Sequence, residues 1–215
     1  MFADLTMNAL PIPRPLLLAA MALAVAGGFS GCGSIPMGKD THNKMIVSVS
    51  DQKLLLVRDG SPVKTYKIST SKFGVGDRPN SNCTPLGRLQ IAKKIGDNTA
   101  IGSVFKNRRP TGEVIQPNAP GRDPVVTRIL WLKGTEARNH NAFSRTIYIH
   151  GTPEERRLGA PASFGCIRMG SRDVADLYNR VGHGADVFII RESIQPKKST
   201  QTTASVGPSG DHQRG

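Results

Sequence analysis

The chain has 215 residues, 38% hydrophobic and only 5% aromatic, with 23 Gly, 15 Pro and a formal charge of +13 at pH 7. That length suffices for one domain with a leader and a tail, and for a real core; the Gly and Pro content argues for a turn-rich fold and against a helical bundle. The excess of Lys and Arg favours anionic lipid, an acidic polymer or nucleic acid as partner, and an export leader takes nucleic acid out of that set.

Residues 16–29 (LLLAAMALAVAGGF) form an apolar run with the length of a signal-peptide core, short for a membrane span. Arg14 is the only basic residue before it, with Asp4 opposing. The run ends in Phe29-Ser30-Gly31-Cys32, which resembles a bacterial lipobox. On that reading residues 1–31 are a lipoprotein-type signal peptide and Cys32 carries the lipid. The alternative is an ordinary signal peptide cut nearby, with Cys32 incidental. Two or more acyl chains anchor stably where one does not. The expected location is the cell envelope or periplasm. Gly33, with no Asp after the cysteine, points to the outer membrane if the host is a diderm.

Residues 32–43 are expected to be a linker and residues 44–191 a catalytic domain. Within it, short runs at 45–50, 53–57 and 62–69 predict strands, with hairpin signals at Asp51-Gln52 and Asp59-Gly60. Further strands are expected at 88–93, 125–133, 146–150 and 186–191. Residues 96–124, rich in Gly, Pro, Asn and Arg, read as long loops across one face, where a polymer could be gripped. One helix stands out: Val174, Leu177, Tyr178 and Val181 recur at helical spacing, with Ser171 placed to cap it and Gly182 to end it. Residues 192–215 are expected to be a disordered tail, without apolar periodicity from 195 on. The fold class is therefore mainly β, an antiparallel sandwich or barrel with one helix late in the chain.

The chemistry concentrates in Ile147-Tyr148-Ile149-His150-Gly151 and Ser163-Phe164-Gly165-Cys166-Ile167-Arg168. A strand delivers His150 to its end, and sixteen residues on Cys166 follows a glycine turn. A thiol needs an ionising neighbour to act as a nucleophile, and an imidazole can take its proton and return one to a leaving amine. Gly165 allows a tight bend that turns amides toward a developing oxyanion. Arg168 either favours thiolate or holds a substrate carboxylate in a fork. Taken singly, a Cys is more often a small buried hydrophobe, a strand-end His a structural hydrogen-bonder, and an Arg a surface charge. The residues alone leave both readings open. Cys83 and Cys166 could pair, but the surroundings of Cys166 suit a free thiol. Trp131 reads as core and His140 as solvent-exposed. No Cys/His spacing suggests a zinc site.

IHGTPEE and PASFGCIRM together are similar to the signature of YkuD-type L,D-transpeptidases, a His-Gly followed by Ser-His-Gly-Cys. VSVSDQKLLLVRDGSPVKTYKIST resembles the opening strands of that family, and SKFGVGD with TPLGRLQI its following loop and strand, so the likeness spans residues 44 to about 191. It implies a YkuD fold, Cys166 as acyl-enzyme nucleophile and His150 as base. It implies that Gly151, Ser163, Gly165 and Arg168 shape the site or bind substrate. The implied substrate is the peptidoglycan stem tetrapeptide, cleaved after its third residue with D-Ala released and the acyl group passed to an amine, without metal or cofactor. One position departs: Phe164 stands where the family usually has a second His. Phe cannot hydrogen-bond there and is expected to dry the site, which raises a thiol's pKa. A tolerated variant, an altered acceptor and a weakened enzyme all remain open. So do transfer to an amine in wall biosynthesis, transfer to water as an L,D-carboxypeptidase or amidase, and wall binding without chemistry.

Overall fold

A computed structural model describes residues 38–194. The leader, Cys32 and the tail from 195 on lie outside the described residues.

Ten strands form the body: β1 (Asn43–Ser48), β2 (Lys53–Arg58), β3 (Ser61–Ser69), β4 (Gly87–Ile95), β5 (Ser103–Lys106), β6 (Arg109–Val114), β7 (Val125–Gly134), β8 (Tyr148–Gly151), β9 (Ile167–Met169) and β10 (Asp186–Ile190), with one helix, α1 (Ser171–Arg180). They pair in the order β4-β10-β1-β2-β3-β9-β8-β7-β5-β6, and β7 pairs back onto β4. Eight strands thus close into a barrel-like ring, which leaves the β5–β6 hairpin as an appendage on β7 and removes the open edges of the ring itself. The β1/β10 and β8/β9 pairs are parallel and the others antiparallel. The architecture is the mainly β fold with one helix that the sequence predicts.

Alternation explains the core. Met45, Val47, Leu54, Leu56, Leu89 and Ile91 point inward from β1, β2 and β4, while Lys44, Lys53 and Arg88 face solvent. The apolar face of α1, Val174, Leu177 and Tyr178, joins the same core. Asp59 and Gly60 turn β2 into β3 with positive φ at both positions, the backbone a tight hairpin demands.

Two expectations need correction. Residues 96–124 are not only loops: they contain β5 and β6, joined by Asn107 and Arg108, both at positive φ. Every residue of β6 is exposed, and Pro110 and Gly112 interrupt it, so it shows no alternation to read. Three-residue β9 was likewise invisible. Ser171 does not cap α1; Gly170 holds that position, and Glu155 accepts from the Ser171 amide at 2.8 Å. In the stretch expected to be a linker, Asp40 accepts from the Gly182 amide at 2.6 Å and its own amide donates to His183 O at 2.7 Å. Gly182 follows the helix as expected, and a Cβ there would meet Asp40 Cβ at 2.9 Å.

Candidate active site

The site follows from strand register. In the parallel pair β8/β9, Ile149 lies opposite Ile167 and His150 opposite Arg168. Ile149, Ile167 and Met169 point into the core. His150 and Arg168 therefore share the other face, and Cys166, two residues before Arg168, falls on it too. On β7, Ile129 lies opposite His150 and Trp131 opposite Tyr148. A second apolar cluster, Phe105, Ile129 and Tyr148 with Val125, Trp131 and Cys166, packs on this outer face, with Phe105 supplied by the β5–β6 hairpin.

His150 and Cys166 line one cleft of about 170 Å³ with Asp123, Val125, Ser163, Phe164 and Arg168. His150 is 6% exposed, and its Nδ1 lies 2.8 Å from Gly151 O. A carbonyl only accepts, so Nδ1 carries the proton and Nε2 keeps a lone pair for base work. Gly151 is required by close approach: a Cβ there would lie 2.7 Å from Val126 O. Burial pulls His150 down to about 4, against the opposing pull of Gly151 O, so its imidazole is neutral at pH 7.

Cys166 is half-buried. Its Sγ accepts from the Tyr148 amide at 3.4 Å and lies 3.5 Å from Thr146 O. Burial pushes the thiol up to about 11, with the Tyr148 N–H and the Arg145 guanidinium opposing. At pH 7 the pair is thus neutral thiol and neutral imidazole. The nucleophile turn is clipped by Ser163, whose Oγ donates to Cys166 O at 2.6 Å and accepts from the Gly165 amide at 3.3 Å. That bond occupies the Gly165 amide, one of those expected to face an oxyanion. Gly165 sits at φ 119°, where its missing side chain lets Cys83 O approach.

Arg168 is not a surface charge. Its side chain is 5% exposed, and Nη1 donates to Asp123 and, at 3.3 Å, to Glu154. Phe164 does not dry the site as expected. Its ring is 63% exposed on the rim, 5.5 Å from the ring of Phe73, with Lys72 Nζ 4.4 Å above it. The apolar cluster around Tyr148 borders Cys166 instead. Trp131 is half-buried, stacked on Phe143 at 4.2 Å, and His140 is exposed.

Two residues had no local signal. Arg145 lines a second cleft, about 230 Å³, on the other side of Cys166 and Phe164 with Asn82, Thr146 and Ile147. It is buried and paired with Asp77 at 2.8 Å, and Nη2 holds Cys83 O at 2.7 Å. Asp123 accepts from Thr152 Oγ1 and from Arg168. Both converge on the site only through the fold. Cys83 and Cys166 are free thiols, and no cluster of metal-ligating side chains occurs among the described residues. The wider surface clefts, beside Arg88 and beside Lys53, hold neither Cys166 nor His150.

Comparison with known proteins gives one curated relative, YqjB of Bacillus subtilis (strain 168), provisionally named an L,D-transpeptidase, 26% identical over 161 residues covering 73% of this chain and 75% of the relative. Among solved structures, an L,D-transpeptidase from Mycobacterium tuberculosis H37Rv is 19% identical with a TM-score of 0.46, covering 70% of this chain and 58% of that one. One from Mycobacterium smegmatis is 17% identical with a TM-score of 0.45, covering 69% and 58%. The chain thus spans less than two thirds of these solved chains. Residues 42–189, most of the chain and all of the strands and residues just described except the last of β10, match the model of the L,D-transpeptidase catalytic domain, YkuD. The chain belongs to the YkuD L,D-transpeptidase catalytic-domain family.

Proposed function

We propose that this protein is a cysteine acyltransferase that remodels peptidoglycan stem peptides through an acyl-enzyme on Cys166. The observation that carries the reading is the shared cleft of Cys166 and His150, with Nδ1 of His150 locked to Gly151 O so that Nε2 is the base. The substrate carbonyl enters beside Sγ. His150 takes the thiol proton as the S–C bond forms, then passes it to the departing amine as the C–N bond breaks. An incoming amine reverses the sequence: it attacks the thioester, its proton goes to His150, and the thiol leaves. Water in place of the amine gives hydrolysis at the same site. Both clefts flanking Cys166 are open, which suits a two-substrate transfer. The apolar run and Cys32 support export and a lipid tether, which would hold the basic domain beside the wall.

Incubating the purified chain with tetrapeptide muropeptides and resolving the products by mass tests the reaction. Cross-linked dimers are expected. Tripeptides alone would replace transfer by hydrolysis, and untouched substrate would overturn the reading. Palmitate labelling in the host should disappear in Cys32→Ala; persistent label there would refute the tether.

A further inference from the structure

Two rings on the rim of the site face water together. Phe73 is 50% and Phe164 63% exposed, the two highest values among the large apolar side chains of the described residues, and their centroids lie 5.5 Å apart. Apolar side chains exposed singly are ordinary, but apolar surface gathered in one place marks contact with a ligand or partner. The rings are not on a loose loop. Ser71 bridges Ser163 in parallel register, and the Lys72 amide donates to Ser163 O at 3.1 Å. The Phe73 amide donates to Ser71 Oγ at 3.0 Å, and Cys83 Sγ donates to Phe73 O at 3.2 Å. The ring pair is therefore fixed to the same turn that carries Cys166, and Phe164 lines both clefts beside the thiol.

Lys72 completes the surface. Its Nζ stands 4.4 Å from the centre of the Phe164 ring and 5.2 Å from that of Phe73, and no carboxylate pairs with it among the described residues. Two phenyl rings edged by an ammonium with three donors complement a pyranose, whose C–H face packs on a ring and whose peripheral oxygens accept hydrogen bonds. An N-acetyl group adds a methyl and a carbonyl of the same two kinds. A membrane surface also offers apolar and anionic groups, but docking there would cap both clefts and shut substrates out. Reach agrees with a sugar. With the carbonyl of the third stem residue at Cys166, two more residues and a linking acyl group lead back to the sugar, about 10 Å of extended chain. Phe164 is two positions from Cys166, and Phe73 is one ring contact further out.

We propose that Phe73, Phe164 and Lys72 form a carbohydrate platform for the N-acetylated amino sugar that bears the acyl-donor stem, so that the protein prefers stems still attached to glycan over free peptides. This rests on the acyl-transfer reading. No bond changes at the platform; it raises the occupancy of the cleft and sets the direction from which the stem enters.

Binding is read apart from turnover. The full chain carrying Cys166→Ala is titrated by calorimetry with the free stem tetrapeptide and with the same tetrapeptide on its N-acetylglucosaminyl-N-acetylmuramyl disaccharide. The disaccharide form should bind about tenfold tighter, which is what removing roughly 60 Å² of apolar surface from water supplies. Adding Phe73→Ser should bring the ratio of the two affinities near one, and adding Lys72→Met should lower it about threefold. Comparing two ligands within one variant cancels any loosening of the site. No binding of the disaccharide form, a ratio near one before the rim is changed, or a ratio that survives Phe73→Ser overturns the platform. Sedimentation of the Cys32→Ala chain with vesicles of phosphatidylethanolamine and phosphatidylglycerol tests the membrane instead; binding that Phe73→Ser abolishes would assign the rings to lipid and also overturn it. With Cys166 intact, turnover of both ligands at equal kcat/KM removes the platform and keeps acyl transfer. Selective binding of the disaccharide form with turnover of neither ligand removes acyl transfer and keeps the platform.

Discussion

Lowering the pH from 7 to 5 should cost the wild-type protein more stability than it costs His150→Gln, because the fold holds this imidazole neutral. Burial places His150 at about 4 in the folded chain, against 6.5 for the exposed group. A depressed folded pKa means that the unfolded chain binds the extra proton first. The stabilisation is therefore fully present above 6.5 and is lost as pH falls toward 4. Integrating the two titrations gives a loss of about 2 kcal/mol by pH 5 and about 3 kcal/mol below pH 4. Asp40, Asp51, Glu136, Asp176 and Asp186 are all held below their ordinary values and also cost stability in acid. Their losses fall mainly below pH 5 and are common to both proteins, so the difference between wild type and variant isolates His150. The assay is urea unfolding at pH 7, 6 and 5, followed by circular dichroism. The quantity read is the change in unfolding free energy with pH, not its absolute value, since the substitution itself perturbs the site. Parallel pH slopes for the two proteins would show that His150 titrates normally, and with that the picture of a neutral, dry resting pair would fail.

Cys166→Ala should abolish acyl transfer while the unfolding transition stays cooperative; wild-type turnover in that variant would remove the nucleophile assignment. Alkylation of Cys166 by iodoacetamide should climb steadily from neutral pH toward about 11, and a plateau near pH 6 would reveal a preformed ion pair instead. Phe164→His should leave that alkylation profile unchanged within about twofold, because the ring stands on the exposed rim rather than against the thiol; a large downward shift of the thiol pKa would contradict the placement. Gly151→Ala should destabilise the fold by about 1–3 kcal/mol in urea, since a Cβ there meets Val126 O at 2.7 Å, and an unchanged midpoint would count against the packing of β8 on β7.

Local chemistry wrote much of this protein legibly into the sequence. β1 to β4 and β7 announce themselves as short apolar or β-branched runs bounded by turn residues, and Asp59-Gly60 can supply the positive φ of a tight turn. The helix shows through Val174, Leu177 and Tyr178, which recur at helical spacing. His150 and Cys166 stand out because their chemistry needs small neighbours, Gly151 and Gly165. Only the closed barrel decided the rest. β6 is exposed along its whole length and carries no pattern. Capping at Gly170 rather than Ser171 depends on Glu155, across a loop. Arg145 and Asp123 reach the site from separate loops through Asp77 and Thr152. Phe164 looked like part of a drier pocket, yet whether a ring shields a thiol depends on which way the turn faces. The thiol and imidazole pKa values exist only once β8 and β9 pair in register, because desolvation is a property of the packed neighbourhood rather than of any run of residues.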